Sequence, residues 1–383
     1  MARIKSFDLF SVDLPFKKPF KHAAADRSTS NSILLKCTLE SGNTGFGECL
    51  PREYVTGETR DGAFALLKDR ILPHLIGMEF NALEPVKSYL TACDGKAPAE
   101  WVSPGTPQTA AWTAVDLALL DAFGREFREP VRIGPAGGPA PAFRYSAVFS
   151  ADRGLRALKT LLKIRIYGIR QAKLKVEDEA PEQTARLARL VLGNGCDIRV
   201  DANMAWDVPR AVAAMKRLAG YGIRSFEQPL PADDIAGLAR LIRETGLGVM
   251  ADESLSDRES LDRLIENRAS TAVNVRISKC GGLMAALNRC RRALEAGLIV
   301  QIGCQVGETS LLSAAQLILI TAVGRVTYGE GCFGRLLLRE DPVLPLMQFG
   351  YGGKPPSLPS GFGLGIQVNE SVLNRYCNST WRS

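Results

Sequence analysis

A TIM-type (β/α) barrel with a smaller α+β domain in front of it is the α/β fold that this sequence predicts. Short apolar runs, each ending in a charged residue, recur about every 26 residues through the middle of the chain, roughly the length of one strand, one helix and two loops. The chain has 383 residues, whereas a barrel of this type needs about 250. The remaining residues are enough for a second domain.

The N-terminal third has the pattern of an antiparallel meander followed by helices. The predicted strands are residues 4–14, 32–39 and 46–49, and the predicted helices are residues 62–72, 82–92 and 108–126. Residues 40–43 form a turn signal between two of the strands. Two long polar loops, at about 16–31 and 50–59, are expected to be functional. Residues 1–133 are therefore predicted to be an α+β domain.

A Pro/Gly-rich run at 134–141 marks the boundary with the barrel, which we place at residues 134–345. Its first strand is predicted at 145–149, its seventh at 299–302 and its eighth at 325–328. Periodicity fails beyond Pro342, and residues 346–383 form a C-terminal segment.

Three carboxylates follow successive predicted strands, namely Asp201, Glu227 and Asp252. The carboxyl ends of barrel strands meet on one face, where enzymes of this fold place their active sites. Three carboxylates gathered there would repel one another strongly, so a bound cation is their natural partner. Oxygen ligands favour Mg²⁺, or alternatively Mn²⁺, over zinc. An acidic helix cap or turn residue is the structural alternative for each one alone.

Three lysines accompany the carboxylates. Lys173 and Lys175 are two residues apart on one predicted strand, so their side chains lie on the same face. An inward-facing pair near a cation should have lowered pKa values, which would allow Lys175 to take a proton from carbon and return it. Lys279 precedes the glycine pair Gly281 and Gly282, which would let the backbone turn tightly beside a ligand.

These motifs together resemble the muconate-lactonizing-enzyme subgroup of the enolase superfamily. The subgroup pattern is Lys-x-Lys, Asp-x-Asn, Glu-Gln-Pro, Asp-Glu-Ser and Lys-x-Gly-Gly on successive strands. The corresponding segments here are 173–175, 201–203, 227–229, 252–254 and 279–282. The resemblance implies a modified, enolase-like barrel and a capping domain whose two loops contact substrate, with the C-terminal segment returning to pack on that domain.

The resemblance also implies roles for individual residues. Asp201, Glu227 and Asp252 would hold the metal. Lys175 and Lys279 would be acid/base catalysts on opposite faces of the substrate, and Lys173 a supporting cation. Asn203 and Glu253 are expected to orient these groups. The candidates for substrate contact, for each of which a structural role is the alternative, are His22, Arg27, Arg52, Tyr54, Cys304, Glu330 and Cys332. Arg276 replaces a lysine expected in the subgroup, and a structural role is expected for it.

The predicted activity is Mg²⁺-dependent isomerisation that begins with removal of the proton next to a substrate carboxylate. Racemisation or epimerisation of an amino-acid derivative is the first expectation, and muconate-type cycloisomerisation is the second. Dipeptide epimerases of the subgroup carry Asp-x-Asp after the last strand, whereas residues 331–333 here are Gly-Cys-Phe. An o-succinylbenzoate-synthase-like lyase is a third candidate, and a barrel that has lost catalysis and serves as a binding protein is the rival of a different class.

Composition excludes several other classes. The formal charge of +7 is spread along the chain, which does not favour nucleic-acid binding. No apolar run is long enough for a membrane span, and nine cysteines without a Cys-x-x-Cys motif indicate reduced thiols in a cytoplasmic protein. Only His22 and His74 are present, so a histidine-based racemase is disfavoured. The expected partners are a small carboxylate substrate and further copies of the chain in a homo-oligomer.

Overall fold

A computed structural model describes residues 1–22, 25–134, 143–150, 154–176 and 181–383 of the chain. It contains an antiparallel sheet covered by helices, followed by a barrel of parallel strands with helices outside. The predicted barrel with an α+β capping domain is therefore confirmed. None of the helices in the described ranges is both long enough and apolar enough to cross a bilayer.

The described part of the N-terminal domain contains six strands and five α-helices. In chain order they are β1 (Ala2–Val12), β2 (Pro15–His22), β3 (Ala25–Thr29), β4 (Ser32–Leu39), β5 (Thr44–Cys49), α1 (Glu53–Thr56), α2 (Arg60–Leu66), a π-helical turn (Leu67–Ile71), α3 (Leu72–Leu75), β6 (Glu79–Phe80), α4 (Leu83–Cys93) and α5 (Thr109–Glu126). Helix α5 is almost entirely buried and lies against β4 and β5. Gly47 permits this close approach, because a Cβ there would lie 1.9 Å from the carbonyl oxygen of Ala114.

The second domain is a parallel eight-stranded barrel. Its elements are β7 (Ala147–Ser150), α6 (Gly154–Ile166), β8 (Gln171–Lys175), α7 (Pro181–Leu192), β9 (Asp197–Asp201), α8 (Val208–Ala219), β10 (Ser225–Glu227), α9 (Ile235–Thr245), β11 (Gly248–Ala251), α10 (Arg258–Glu266), β12 (Ala272–Val275), α11 (Ile277–Cys280), α12 (Leu283–Glu295), β13 (Ile299–Ile302), α13 (Ser310–Val323) and β14 (Tyr328–Gly329). The strands pair in sequence order. A parallel bridge between Tyr145 and Gly329 joins the first strand region to the last and closes the sheet.

The C-terminal segment contains β15 (Val343–Leu344), β16 (Gln367–Val368), α14 (Glu370–Arg375) and β17 (Cys377–Arg382). Strand β17 pairs antiparallel with β1 and completes the sheet order β17-β1-β4-β5. Asp121 of α5 also holds this segment, because its carboxylate accepts hydrogen bonds from the backbone N–H groups of Phe46 and Leu364, both at 2.9 Å.

Several predicted element boundaries were wrong. The first long loop, at 16–31, contains the paired strands β2 and β3. The helix predicted at 62–72 begins earlier and is interrupted by a π-helical turn. The eighth barrel strand is Tyr328–Gly329 rather than 325–328. The backbone N–H of Thr327 donates to Val300 O, but Arg325 to Thr327 are not part of the strand. Residues 135–141 of the predicted linker lie outside the described residues.

Candidate active site

The polar residues of the candidate site lie at the carboxyl ends of neighbouring barrel strands. Lys175 ends β8, Asp201 ends β9 and Glu227 ends β10, while Asp252 follows β11 directly. Parallel pairing places Lys175 beside Asp201 and Asp201 beside Glu227 in register. The apolar run before each residue is buried, so the charged side chain emerges where the strand reaches the barrel mouth.

A cavity of about 230 Å³ opens at this end of the barrel. Its polar lining includes Lys173, Lys175, Asn203, Glu253, Arg276 and Glu330. Its apolar lining consists mainly of Phe149, Val306, Phe333, Leu336 and Leu337, with Tyr54 from the N-terminal domain. The cavity therefore offers charged groups together with apolar side chains that suit a hydrocarbon or aromatic group.

Lys173 lies at the centre of the acidic residues. Its Nζ is 2.7 Å from Glu330 Oε2, 3.2 Å from Asp201 Oδ2 and 3.3 Å from Glu227 Oε1. Burial alone would lower the pKa of Lys173, but the surrounding carboxylates, Glu227 foremost, outweigh it and raise the pKa above its ordinary value. Lys173 is thus a permanent cation in this arrangement.

Lys175 is placed differently, although it belongs to the same strand face. Its Nζ donates to Asn203 Oδ1 at 3.2 Å and lies 3.8 Å from Asp201 Oδ2. Burial lowers the pKa of Lys175, with only partial opposition from the charge of Asp201. A lysine with a lowered pKa that lines a cavity is suited to accept a proton from a bound molecule.

The carboxylates of Glu227 and Asp252 are buried and fully engaged. Glu227 accepts from Asn274 Nδ2 at 2.8 Å, and the charges of Lys173 and Arg276 outweigh burial to lower the pKa of Glu227 to about 2. Asp252 Oδ1 is 2.8 Å from Lys279 Nζ, and Asp252 Oδ2 accepts from Arg276 Nη2. Glu227 is therefore held in its ionised form, and the carboxylate of Asp252 lies between two cationic side chains.

The three predicted metal ligands form a set of hard oxygen donors on adjacent strands. As the side chains stand, no group of three acidic, histidine or cysteine side chains within the described ranges is arranged to hold an ion. Asp201 Oδ2 is nevertheless buried and makes no hydrogen bond, although Lys173 Nζ pairs with it at 3.2 Å, and three carboxylates are the donors that Mg²⁺ prefers. The donor set fits a divalent cation, which would compete with Arg276 for Asp252 Oδ2. Metal binding by these residues stays a prediction.

Arg276, and not Lys279, lines the cavity at the position that the sequence analysis gave to Lys279. Lys279 is fully buried behind Asp252, and its Nζ donates to Asp252 O at 2.5 Å and Asn274 O at 2.9 Å. It does not line the cavity, whereas Arg276 does. Arg276 Nη1 donates to Gln305 Oε1 at 3.0 Å. The side chain that faces the cavity from this side is a guanidinium rather than the predicted amine.

The glycine pair after Lys279 contacts the N-terminal domain rather than a ligand. A Cβ at Gly281 would lie 2.1 Å from the carbonyl oxygen of Gly95, and one at Gly282 would lie 2.4 Å from the side chain of Asp116. Asp116 Oδ1 accepts from the backbone N–H of Leu283 at 2.7 Å. The two glycines therefore allow the domains to pack closely.

Four of the predicted substrate contacts belong to the N-terminal domain. Tyr54 lines the cavity, whereas Arg27 is half-buried outside its lining. Arg52 is buried, and its guanidinium donates to the carbonyl oxygens of Pro51, Ser30 and Val306. It therefore ties both N-terminal loops to the loop after β13 instead of facing the cavity. The side chain of His22 lies outside the described residues.

The other three belong to the barrel. Cys304 and Glu330 line the cavity, but both carboxylate oxygens of Glu330 are engaged, one by Lys173 and one by Arg199. Cys332 is buried outside the cavity lining, with its Sγ 2.9 Å from the hydroxyl oxygen of Tyr145. Of the two predicted orienting residues, Asn203 contacts Lys175, and its Nδ2 lies 3.5 Å from Glu253 Oε1.

Sequence reasoning missed Arg199, a fully buried arginine inside the barrel. Its Nη2 is 3.2 Å from Glu330 Oε1, and its guanidinium stacks 3.9 Å above the ring of Tyr328. Arg199 and Asp201 are two residues apart on β9 and so share a face. The two-residue spacing from Asp201 is the sequence signal that could have identified Arg199.

Comparisons with known proteins agree with this architecture. Residues 6–132 match the model of the mandelate racemase / muconate lactonizing enzyme N-terminal domain, and residues 157–372 match the enolase C-terminal domain-like model. The chain belongs to the enolase superfamily. Its resemblance to the muconate-lactonizing-enzyme subgroup is thereby confirmed, because both domains of that family are matched.

Relatives in the superfamily catalyse several isomerisations. N-succinyl-L-Arg/Lys racemase from Bacillus cereus is 29% identical over 97% of each chain, and its crystal structure superposes with a TM-score of 0.87 over the full length of both chains at 27% identity. Muconate cycloisomerase 1 from Rhodococcus opacus is 26% identical over 97% of this chain and 98% of that protein. A dipeptide epimerase from Cytophaga hutchinsonii, solved with Mg and a dipeptide, has the same fold, with a TM-score of 0.86 at 23% identity over 99% of both chains. The present chain is an isomerase of this superfamily.

Proposed function

We propose that this isomerase removes the proton from the carbon next to the carboxylate of an acylated amino acid, with Lys175 as the base. The observation that carries the proposal is the position of Lys175, which lines the cavity beside Asn203 and Asp201. Its pKa is lowered by burial, so a neutral amine is available nearer to neutral pH than in an ordinary lysine.

The residues around Lys175 support the charge changes of such a reaction. When the α-proton leaves, negative charge accumulates on the substrate carboxylate, and fixed cations stabilise that charge. Lys173 provides one such cation on the same strand. Asp201, Glu227 and Asp252 would hold Mg²⁺, which supplies further electrostatic stabilisation of the carboxylate when bound. Asn203 keeps the amine of Lys175 in position through the 3.2 Å hydrogen bond.

The apolar lining of the cavity supports an acylated substrate with a hydrocarbon or aromatic group. Phe333, Leu336 and Leu337 follow β14 and belong to this lining. Glu330, the acidic residue nearest in the chain, is already bound by Lys173 and Arg199. It is therefore not available for a substrate ammonium group, and an acylated, uncharged nitrogen suits this region better.

Two outcomes can follow proton removal, and both occur among the relatives. Racemisation or epimerisation, as in the B. cereus relative, requires a proton source on each face of the planar intermediate. Cycloisomerisation requires proton transfer on only one face. It is the second candidate because a guanidinium, Arg276, lines the side of the cavity away from Lys175.

The proposal is tested by proton exchange in D₂O. The protein with Mg²⁺ is incubated with N-acyl amino acids that carry apolar side chains, with free dipeptides and with muconates, and loss of the α-proton signal is followed by NMR. Exchange of an N-acyl substrate that is abolished in Lys175→Arg and unchanged in the exposed Lys159→Arg supports Lys175 as the base. Equal exchange in the wild type and in Lys175→Arg would contradict it.

A further inference from the structure

Arg276 and Lys175 lie on opposite sides of the candidate active site. Strands β8 and β12 are the second and the sixth of eight strands in the closed sheet, so they face each other across the barrel. Lys175 is the last residue of β8 and Arg276 follows β12 directly, and both line the cavity. A substrate between them has an amine on one side and a guanidinium on the other.

Arg276 contacts two neighbours, of which only Asp252 is a predicted metal ligand. Its Nη1 donates to Gln305 Oε1 at 3.0 Å, and its Nη2 donates to Asp252 Oδ2. These two contacts come from the strands on either side, because Asp252 follows β11 and Gln305 lies in the loop after β13. The guanidinium therefore belongs to the wall of the site rather than to its entrance.

Lys279 cannot take the place of Arg276 in contact with substrate. Its Nζ is fully buried and donates to Asp252 Oδ1, Asp252 O and Asn274 O. Three acceptors satisfy the three donors of an ammonium group. Since Lys279 is also absent from the lining of the cavity, no lysine faces Lys175 from this wall within the described residues.

An arginine and a lysine differ in the chemistry they can offer here. A lysine amine has a nitrogen lone pair that can accept a proton from carbon, whereas the nitrogens of a guanidinium are delocalised and remain protonated. Arginine can hold negative charge in a fixed planar geometry, but it does not exchange a proton with carbon. The wall opposite Lys175 is thus equipped to hold charge.

We propose that Arg276 makes proton transfer in this enzyme one-sided, so that the α-proton leaves and returns only on the Lys175 face. The inference rests on the proposed function, in which Lys175 removes this proton. The carbon–hydrogen bond breaks, its proton goes to the neutral Lys175 amine, and its electron pair moves into the carboxylate. Return of the proton from the same ammonium reverses both changes, and the configuration at carbon is retained. An N-acyl amino acid would then exchange its α-proton without inversion, and cycloisomerisation, the second candidate function, is favoured over racemisation.

The test measures exchange and racemisation in the same D₂O reaction. The wild-type protein with Mg²⁺ is incubated with single enantiomers of N-acyl amino acids, deuterium incorporation is followed by NMR, and the enantiomers are separated by chiral chromatography. We expect exchange with retention to exceed racemisation by about 100-fold, since a positioned acid or base contributes at least that factor. Arg276→Lys should then gain racemisation, because it supplies an amine on the opposite wall. The exposed Arg210→Lys is the matched control and should remain stereoretentive.

The outcomes separate this inference from the proposed function. Racemisation by the wild type at a rate close to exchange overturns one-sided transfer and leaves proton removal by Lys175 intact. The wild type could exchange with retention while a folded Arg276→Lys protein gains no racemisation. That result overturns the role of position 276. Absence of exchange in the wild type with every substrate overturns the proposed function itself. The wild-type measurement decides the stereochemical claim even if the variant does not fold.

Discussion

Lys173 and Glu330 form an ion pair in the barrel mouth, with 2.7 Å between Nζ and Oε2. The other carboxylate oxygen of Glu330 is 3.2 Å from Arg199 Nη2. Glu330 therefore joins a cation of the candidate active site to a buried arginine beneath it. Lys173 keeps two further carboxylates if Glu330 is neutralised, whereas Arg199 has no other ionic partner among the described residues.

Glu330→Gln is accordingly expected to lower the free energy of unfolding by about 3 kcal/mol, because it leaves a buried guanidinium without its counter-charge. Urea-induced unfolding measures the change. The double variant Arg199→Met/Glu330→Gln should recover much of the loss, since it removes the unpaired charge as well. A Glu330→Gln protein as stable as the wild type, or a double variant that shows purely additive losses, would contradict the ion-pair account.

The pH dependence of proton exchange should report the environment of Lys175. Burial lowers the pKa of this lysine from its ordinary value of 10.5, and the neutral amine is the form that accepts a proton. The exchange rate is therefore expected to be low where the ammonium persists and to rise as pH increases through the lowered pKa. Measuring the initial exchange rate at several pH values between pH 5 and pH 10 shows whether this rise occurs. A rate that falls across this range, or that rises only near pH 10.5, would refute the assignment.

Magnesium should stabilise the protein through the three strand-end carboxylates. A ligand present at 100 times its dissociation constant and bound only by the folded state adds about 2.7 kcal/mol to the free energy of unfolding. Asp201→Asn should abolish this increase, whereas the exposed Asp233→Asn should retain it. Titration calorimetry of Mg²⁺ with both variants, together with thermal unfolding with and without EDTA, provides the measurement. Equal Mg²⁺ binding by wild type and Asp201→Asn would remove Asp201 from the predicted ligand set.

The sequence predicted the barrel and the positions of the carboxylates well, because both follow from one regular pattern. An apolar run of four or five residues fills a barrel strand, and the next polar residue must lie at the strand end. Asp201, Glu227 and Asp252 each occupy that position in the structure. Boundaries were less accurate where short strands depend on pairing, as at Tyr328–Gly329.

Lys279 shows where residue type and position on the strand indicate different residues. The residue that directly follows the apolar run of β12 is Arg276, so the rule used for the carboxylates identifies Arg276 rather than Lys279. Residue type favoured Lys279, whose catalytic role stays a prediction, and the glycine pair after it was expected to lie beside a ligand. In the structure, Gly95 and Asp116 of the other domain lie against these two glycines. This is a tertiary contact that local sequence does not specify.

Arg52 illustrates a second limit of sequence reasoning. An arginine in a polar loop near a predicted active site suggested substrate binding. In the structure its guanidinium is buried and serves three backbone carbonyl groups of three different loop segments. Whether a loop arginine faces a cavity or satisfies backbone acceptors depends on how the domains meet, and periodicity carries no information about that contact.

The packing of Gly282 against the N-terminal domain gives a final stability prediction. Gly282 has a φ of 113°, and a Cβ at this position would lie 2.4 Å from the Cβ and Cγ atoms of Asp116. Gly282→Ala therefore combines backbone strain with displacement of the side chain that caps α12 at Leu283. We expect a loss of about 3 kcal/mol in the free energy of unfolding.

Gly297→Ala is the matched control for this change. Gly297 also has a positive φ, of 78°, but no atom lies within 4 Å of the added Cβ, so only the backbone strain of about 1 kcal/mol is expected. Both variants are compared with the wild type by urea-induced unfolding. Because neither glycine touches the cavity, the fraction of Gly282→Ala that remains folded should exchange the α-proton at the wild-type rate. Equal losses in the free energy of unfolding of the two variants would show that contact with Asp116 adds nothing to the effect of backbone strain.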